Sequence, residues 1–217
     1  MTILCIETST SVCSAAVCKD GSLIKQCINY EGSNHARLLP MYIEELLSFA
    51  REQHLSIDAV ALSEGPGSYT GLRIGASTAK GLCYGLNVPL IPVPTLEVLC
   101  EASGVKQGRL ISMIDARRME VYTMMDGETK AVVVENEDSL YAGDEDVYYF
   151  GDGAAKCQPV LTKPNWHYIP DIVPEAQYVG ALAESGKWKV ESVDLAYYEP
   201  FYLKEFIAAQ SHVKGLK

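Results

Sequence analysis

The sequence predicts an α/β fold built from two copies of one βββαβα-type unit, the second copy reduced. Three observations lead there. Residues 3–27 and 110–134 share one plan: an apolar run closed by an acidic residue (Glu7, Asp115), a second run, an Asp-Gly turn (Asp20-Gly21, Asp126-Gly127) and a third run. Asp-Gly between apolar runs is a strong hairpin signal. In each copy a later apolar run then enters a glycine-rich turn, Val60-Ala61-Leu62 into Gly65-Pro66-Gly67 and Val147 to Phe150 into Gly151-Asp152-Gly153.

Taken in order, residues 3–6, 12–18 and 22–27 read as strands, followed by a helix from about Asn34 to Arg51 with Ser33 or Asn34 as N-cap. Its apolar positions Leu38, Leu39, Tyr42, Ile43, Leu46, Leu47 and Ala50 make a stripe wider than one sheet-facing side needs, and Pro40 predicts a bend. A strand at 59–62 leads to a second helix, from about Thr70 to Leu86, with Thr70 as a candidate N-cap. This helix contains Gly71, Gly75, Gly81 and Gly85. Each glycine costs roughly 0.5–1 kcal/mol relative to alanine, so the helix requires close packing somewhere. Gly71, Gly75 and Ala79 recur every four residues as a small-residue groove, which fits either packing within the chain or a subunit contact. Residues 89–93 form the next strand, and Thr95 suits a helix N-cap. The second copy supplies strands at 110–114, 120–125, 131–134 and 147–150, while Trp166 and Trp188 read as packing residues. The expected division is residues 1–105 for the first unit, 106–207 for a smaller second unit and 208–217 for a mobile tail.

Composition narrows the function classes. Hydrophobic residues at 48% and charged residues at 21% are ordinary globular values. A net charge of −10 argues against this chain gripping a nucleic-acid backbone by itself, though not against its joining a complex that does. No apolar run approaches the ~20 residues of a membrane span. Met1 to Ile6 lacks a basic leader and runs straight into Glu7, so it reads as a first strand. The seven cysteines (5, 13, 18, 27, 83, 100 and 157) contain no C-x-x-C pair and fit a reducing cytoplasm. His35, His54, His167 and His212 have no metal-ligand spacing and read as structural.

The most informative motif is Gly65-Pro66-Gly67-Ser68-Tyr69-Thr70-Gly71-Leu72-Arg73-Ile74-Gly75. An apolar run, a glycine-rich turn and a helix aim backbone N–H groups at one point, an arrangement that favours an anion. Gly65, Gly67, Ser68, Tyr69, Thr70 and Arg73, with Glu7 from the first strand, are therefore candidate contacts for a phosphate, a nucleotide or a partner's loop. The chemistry expected beside such a loop is missing. There is no Walker lysine, and the region about twenty residues on, Gly85-Leu86-Asn87-Val88, lacks the carboxylate of a dinucleotide site. Thr8-Ser9-Thr10 has no glycine, and Ala116-Arg117-Arg118 puts bulky side chains where a second phosphate loop needs room. Glu7 and Asp115 are equally suited to capping turns, and Arg117 and Arg118 to pairing with Glu120 or a partner's carboxylate. Ser68 stands outside a G-x-S-x-G elbow, and no triad is assignable.

A pair of such units is the plan of the actin/sugar kinase/Hsp70 superfamily. Within it, Ile6-Glu7-Thr8-Ser9, the Gly65–Gly75 motif, Pro89-Leu90-Ile91, the run from Asp115 to Tyr122 and Pro200-Phe201-Tyr202-Leu203 together resemble the TsaB (YeaZ) family. The resemblance implies a non-catalytic scaffold or activator that pairs with TsaD and supports TsaE binding in making threonylcarbamoyladenosine beside the tRNA anticodon, with tRNA reached only through the complex. It implies no cofactor, and leaves ATP or ADP at a subunit boundary open. The sister family TsaD places Asn-His-x-Glu-Gly-His after the fifth strand, its two histidines holding a metal. Here that position reads Pro94-Thr95-Leu96-Glu97-Val98-Leu99, and Glu97 alone supplies too few ligands, so no metal is expected. The expected partner face combines Leu39, Tyr42, Ile43 and Leu46 with Gly71, Leu72, Gly75 and Ala79, forming half of a helical bundle. TsaD would complete it, or a second copy of the chain when TsaD is absent. The alternative reading is a nucleotide-binding or nucleotide-hydrolysing enzyme that uses the Gly65–Gly75 loop.

Overall fold

A computed structural model describes residues 1–32, 34–186 and 193–204. The first copy contains β1 (Thr2–Glu7), β2 (Cys13–Lys19), β3 (Ser22–Asn29), α1 (His35–Glu52), β4 (Ala59–Gly65), α2 (Tyr69–Leu86) and β5 (Leu90–Pro94). After α3 (Thr95–Ser103) come β6 (Arg109–Asp115), β7 (Glu120–Met125), β8 (Glu128–Val133), β9 (Val147–Phe150) and β10 (Trp166–Tyr168), then α4 (Ala176–Glu184). The strand orders are β3-β2-β1-β4-β5 and β8-β7-β6-β9-β10, so the two sheets are copies of one topology. In each, the first three strands form an antiparallel meander and the first and fourth run parallel. The reduction of the second copy is visible in its helices. Short 3₁₀ turns at Glu137–Ser139 and Ala155–Cys157 stand where the first copy has α1 and α2.

Local chemistry explains the matched hairpins. Asp20 and Gly21 have φ of 50° and 76°, and Asp126 and Gly127 have 52° and 78°. Positive φ at both central residues is the hairpin turn whose twist matches the strands it joins. Gly65 and Gly151, closing β4 and β9, also share positive φ, at 119° and 104°.

Helices cover both faces of the first sheet. On one side Leu39, Ile43 and Leu46 of α1 and Ala76, Ala79 and Cys83 of α2 pack with Leu4, Ile6, Val60 and Leu62. On the other, Val98 of α3 and Ala176, Val179 and Ala183 of α4 pack with Ile3, Cys5, Ala61 and Ile91. The expected boundary at residue 105 is therefore corrected. α4 follows the second sheet in the chain yet completes the first, and Val193, Leu195 and Tyr198 also join the first sheet's core. Gly180 lets α4 lie close, since a Cβ there would strike the Cys18 sulfur. The second sheet has its own core around Ile111, Met113, Tyr149 and Trp166, and Leu96 and Leu99 of α3 reach its other face beside Ile114 and Phe150. Trp166 packs as expected, whereas Trp188, Ser33 and the 208–217 tail lie outside the described residues.

One capping expectation is met and two change. Asn34 is the N-cap of α1 but makes no side-chain cap bond. Ser68, not Thr70, caps α2, its side chain accepting the Gly71 N–H. Pro94 precedes α3, and Thr95 turns its hydroxyl to Ser63 Oγ at 2.7 Å and the Gly65 N–H at 3.1 Å. Pro40 sits on the exposed side of α1.

The α2 glycines divide into two pairs. A Cβ on Gly71 would strike the Thr8 carbonyl oxygen, and one on Gly75 would strike Thr8 Oγ1 and lie 3.0 Å from Leu62 Cδ1, whereas Gly81 and Gly85 have nothing within 4 Å. Gly71→Ala is thus expected to destabilise the chain by about 3 kcal/mol, the upper end of overpacking costs, because backbone cannot step aside. Gly81→Ala in the same helix is expected to stabilise it by about 0.5–1 kcal/mol. Thermal unfolding of the two variants should shift in opposite directions.

Candidate functional site

The two sheets face each other across a cleft of about 920 Å³. Its first wall is the loop after β1 (Ser9, Thr10, Ser11), the start of α1 (His35, Ala36) and the amino end of α2 (Gly67 to Gly71). Ile114 to Arg117, Tyr122 and Asp152 form the other wall, and Lys204 closes the rim.

The amino end of α2 is occupied by its own chain. Ser68 N–H donates to the Ser9 carbonyl at 2.7 Å, Thr8 Oγ1 donates to the Gly71 carbonyl at 2.8 Å, and a Cβ on Gly67 would strike the Ser9 carbonyl oxygen. Gly67 and Gly71 thus make room for the Thr8–Ser9 backbone, and Gly75 for the Thr8 side chain. A phosphate loop would spend the same glycines on its ligand. Gly65 serves another close contact, since a Cβ there would strike the Phe201 carbonyl, and it follows a chain path that includes a cis Gly65–Pro66 bond.

Glu7 and Asp115 play one role in the two copies. Glu7 Oε1 accepts the Ser9 N–H at 2.6 Å and Ser9 Oγ–H at 2.5 Å, and Asp115 Oδ1 accepts the Arg117 N–H at 2.8 Å. Each acid caps the turn two residues beyond its strand. Glu7 is fully buried, and its Oε2 has no hydrogen-bond partner among the described residues. Burial pushes its pKa up, opposed by the nearby Ser63 hydroxyl and by the Ser9 hydrogen bonds, and reinforced by the negative charge of Asp152. Asp152 has an exposed residue surface, yet its carboxyl sits in the throat of the cleft. There desolvation raises its pKa, Asp115 adds to the rise, and its Oδ1 accepts the Asp115 N–H at 3.0 Å.

The predicted contacts separate accordingly. Gly67, Ser68, Tyr69 and Thr70 line the cleft together, while Glu7, Gly65 and Arg73 do not. Glu7 is sealed beneath its own turn, Gly65 lies under Phe201, and Arg73 turns to Tyr202, its Nε donating to the hydroxyl at 3.3 Å. Arg117 lines the cleft, and Glu120 pairs with Lys204 at 2.5 Å, so of the two pairings open to the arginines the one with Glu120 is not formed, and both arginines are exposed. Arg117 and Arg118 hold φ of 72° and 51°, the left-handed region a glycine-bearing loop would use. The loop thus keeps that backbone path with two exposed arginines, of which Arg117 lines the cleft. Asp152 and Lys204 are absent from the contacts the sequence predicts. Asp152 stood in a matched glycine turn, which was a usable signal, but nothing local marks Lys204.

The predicted partner face is corrected. Leu39, Ile43, Leu46, Leu72 and Ala79 are buried in the chain's own core, and Gly71 and Gly75 face Thr8. Tyr42 is half-buried against the same core. The width of the α1 stripe is used up by the sheet beneath it and by α2 beside it. Thr95 and Leu99, standing where the sister family has histidines, are likewise fully buried. Among the described residues no three His, Cys, Asp or Glu side chains converge as metal ligands, and no helix is long and apolar enough to cross a membrane.

Two copies of one βββαβα plan around a cleft define a protein of the actin/sugar kinase/Hsp70 class of fold. The chain belongs to the family whose model, matching residues 29–151, is described as TsaD, tRNA N6-adenosine threonylcarbamoyltransferase, and within it to the TsaB (YeaZ) group. It is 38% identical over 124 residues to the tRNA threonylcarbamoyladenosine biosynthesis protein TsaB of Escherichia coli K12, a match covering 56% of this chain and 53% of that one. Against the Bacillus subtilis protein of the same name it is 36% identical over 124 residues, covering 57% and 54%. The chain spans about half the length of the curated relatives it matches. A solved structure described as YeaZ from Pseudomonas aeruginosa superposes with a TM-score of 0.75 at 26% identity, covering 93% of this chain and 99% of that one.

The buried acid gives a pH test. Because folding raises the Glu7 pKa, the fold prefers the protonated carboxyl. That preference contributes fully below the unfolded glutamate pKa and is lost as pH climbs through the raised folded value. Glu7→Gln keeps an acceptor for the Ser9 N–H without the charge. Its melting temperature should therefore move upward relative to wild type as pH rises from about 4 to about 8. A gap that stays constant across that range would show that Glu7 does not carry the effect.

Proposed function

We propose that this chain is a non-catalytic subunit in the biosynthesis of tRNA threonylcarbamoyladenosine, acting in the cytoplasm by pairing with a TsaD-type subunit and supporting the binding of TsaE. The observation that carries the reading is the internal use of the Gly65–Gly75 motif. Gly67, Gly71 and Gly75 are filled by Thr8 and Ser9, Gly65 by Phe201, and the acids beside the motif are tied to their own turns. A site built to turn over a nucleotide would keep these groups free. The names of the E. coli and B. subtilis relatives support the same pathway.

In this reading the partner lies against the outer sides of α1 and α2. Met41 of α1 is 58% exposed and Tyr84 of α2 is 87% exposed, beside Gly81 and Gly85, whose Cβ positions are open. Two uncompensated glycines one turn apart weaken an exposed helix. A partner helix approaching closely over them restores the packing they lack. The same side serves a second copy of this chain when the TsaD-type subunit is absent, so homodimer and heterodimer exclude each other. Nucleotide, where present, is held at the subunit boundary and is not turned over by this chain alone.

Gly81→Leu tests the reading. It should leave the isolated chain at least as stable as wild type, because leucine is the better helix former. It should also weaken association with the TsaD-type subunit by roughly ten- to a hundred-fold, the equivalent of ~1–3 kcal/mol of overpacking. Unchanged affinity in Gly81→Leu and Tyr84→Asp together would remove this face from the complex. ATP turnover by the purified chain, abolished by Asp152→Asn, would instead favour the nucleotide-hydrolysing enzyme.

A further inference from the structure

The two halves are joined in different ways on the two sides of the cleft. On one side α3 is a hydrophobic hinge: Val98 packs into the first sheet's core, and Leu96 and Leu99 pack beside Ile114 and Phe150 of the second. On the other, residues 198–204 run from the first half to the second by a series of local contacts. Tyr198 is anchored in the first sheet's core. Phe201 N–H donates to the Glu64 carbonyl at 2.8 Å, and the Tyr202 ring stacks on Tyr69 at 5.2 Å with 14° between the planes. Tyr69 Oη–H donates to the Lys204 carbonyl, and Lys204 Nζ then reaches Glu120 on β7 at 2.5 Å. Tyr69 and Lys204 both line the cleft.

We infer that residues 198–204 are a clasp across the cleft mouth, which sets its aperture and controls access to the amino end of α2. The first-half end of the clasp is fixed by burial, a ladder-like backbone bond and a ring stack. Its reach to the second half rests on an ion pair with both side chains partly in water. Such pairs are weak and screened by salt, so this end releases first while α3 holds the hinge.

Amide hydrogen exchange on the 217-residue chain tests the clasp. In Lys204→Ala and in Glu120→Gln, the amides of residues 9–11, 69–71 and 115–117 should exchange about five- to ten-fold faster than in wild type, with β1 and β4 unchanged. The same cleft amides in wild type should speed up as salt is raised from about 0.05 to 0.5 M, and this response should vanish in Glu120→Gln. If both variants leave cleft exchange at the wild-type rate, the clasp does not set the aperture. Should β1 and β4 accelerate as well, the salt series decides: a wild-type cleft indifferent to salt overturns the proposal, and one that responds only while Glu120 is present supports it.

Discussion

The first turn of α2 lies against the backbone of Thr8 and Ser9 so closely that no side chain fits between them, and the first half is organised around that approach. It removes the Cβ from Gly67 and Gly71, and the Thr8 side chain does the same at Gly75. It also fixes the Ser68 N–H on the Ser9 carbonyl and sends the Thr8 hydroxyl to the Gly71 carbonyl. Backbone packed on backbone tolerates no methyl group, because neither side can rotate away as a side chain would. Glu7 follows from the same constraint. Its carboxylate is buried under the turn that presents Ser9, and one of its oxygens is left unsatisfied by that geometry. In related folds a glycine-rich turn of this kind makes space for a ligand's phosphates; here the space is already taken.

The second copy shows what is left of the plan when the helices are removed. β6, β7, β8, β9 and β10 reproduce the order of the first sheet, and Asp115 caps its turn as Glu7 does. Gly153 abuts the Ile114–Asp115 backbone where Gly67 abuts Ser9. Yet α2 has shrunk to the turn at Ala155–Cys157, so the second wall offers the cleft side chains, Arg117 and Asp152 among them, where the first offers a helix end.

Strands and hairpins were legible because their signals are local. Each Asp-Gly turn sits between apolar runs and demands positive φ, and both were found as read. The duplicated plan was legible for the same reason. What the glycines of α2 touch was not, since the period that marks Gly71, Gly75 and Ala79 as one face says nothing of whether sheet or partner lies against it. The wide stripe of α1 misled in the same way, because a helix wedged between a sheet and another helix buries more than one face. The cleft was half legible. Gly67 to Thr70 come from one short motif, whereas Lys204 arrives from 84 residues beyond Glu120, a separation that leaves no mark in sequence. β10, three residues long, and α4, nine residues long, are too short for periodicity to reveal.

α4 has a consequence for how the chain is made. The first sheet ends in sequence at Pro94, but the helix that covers one of its faces begins only at Ala176. A ribosome adding about 5–20 residues each second needs several seconds to bridge that gap. Throughout it, Ile3, Cys5, Ala61 and Ile91 belong to a surface whose natural cover has not yet been synthesised. The first half of the nascent chain therefore emerges with that face covered only in part, by α3, and completing the cover requires the whole second sheet to be built. Until α4 is made, only α3, through Val98, is at hand to shield that face.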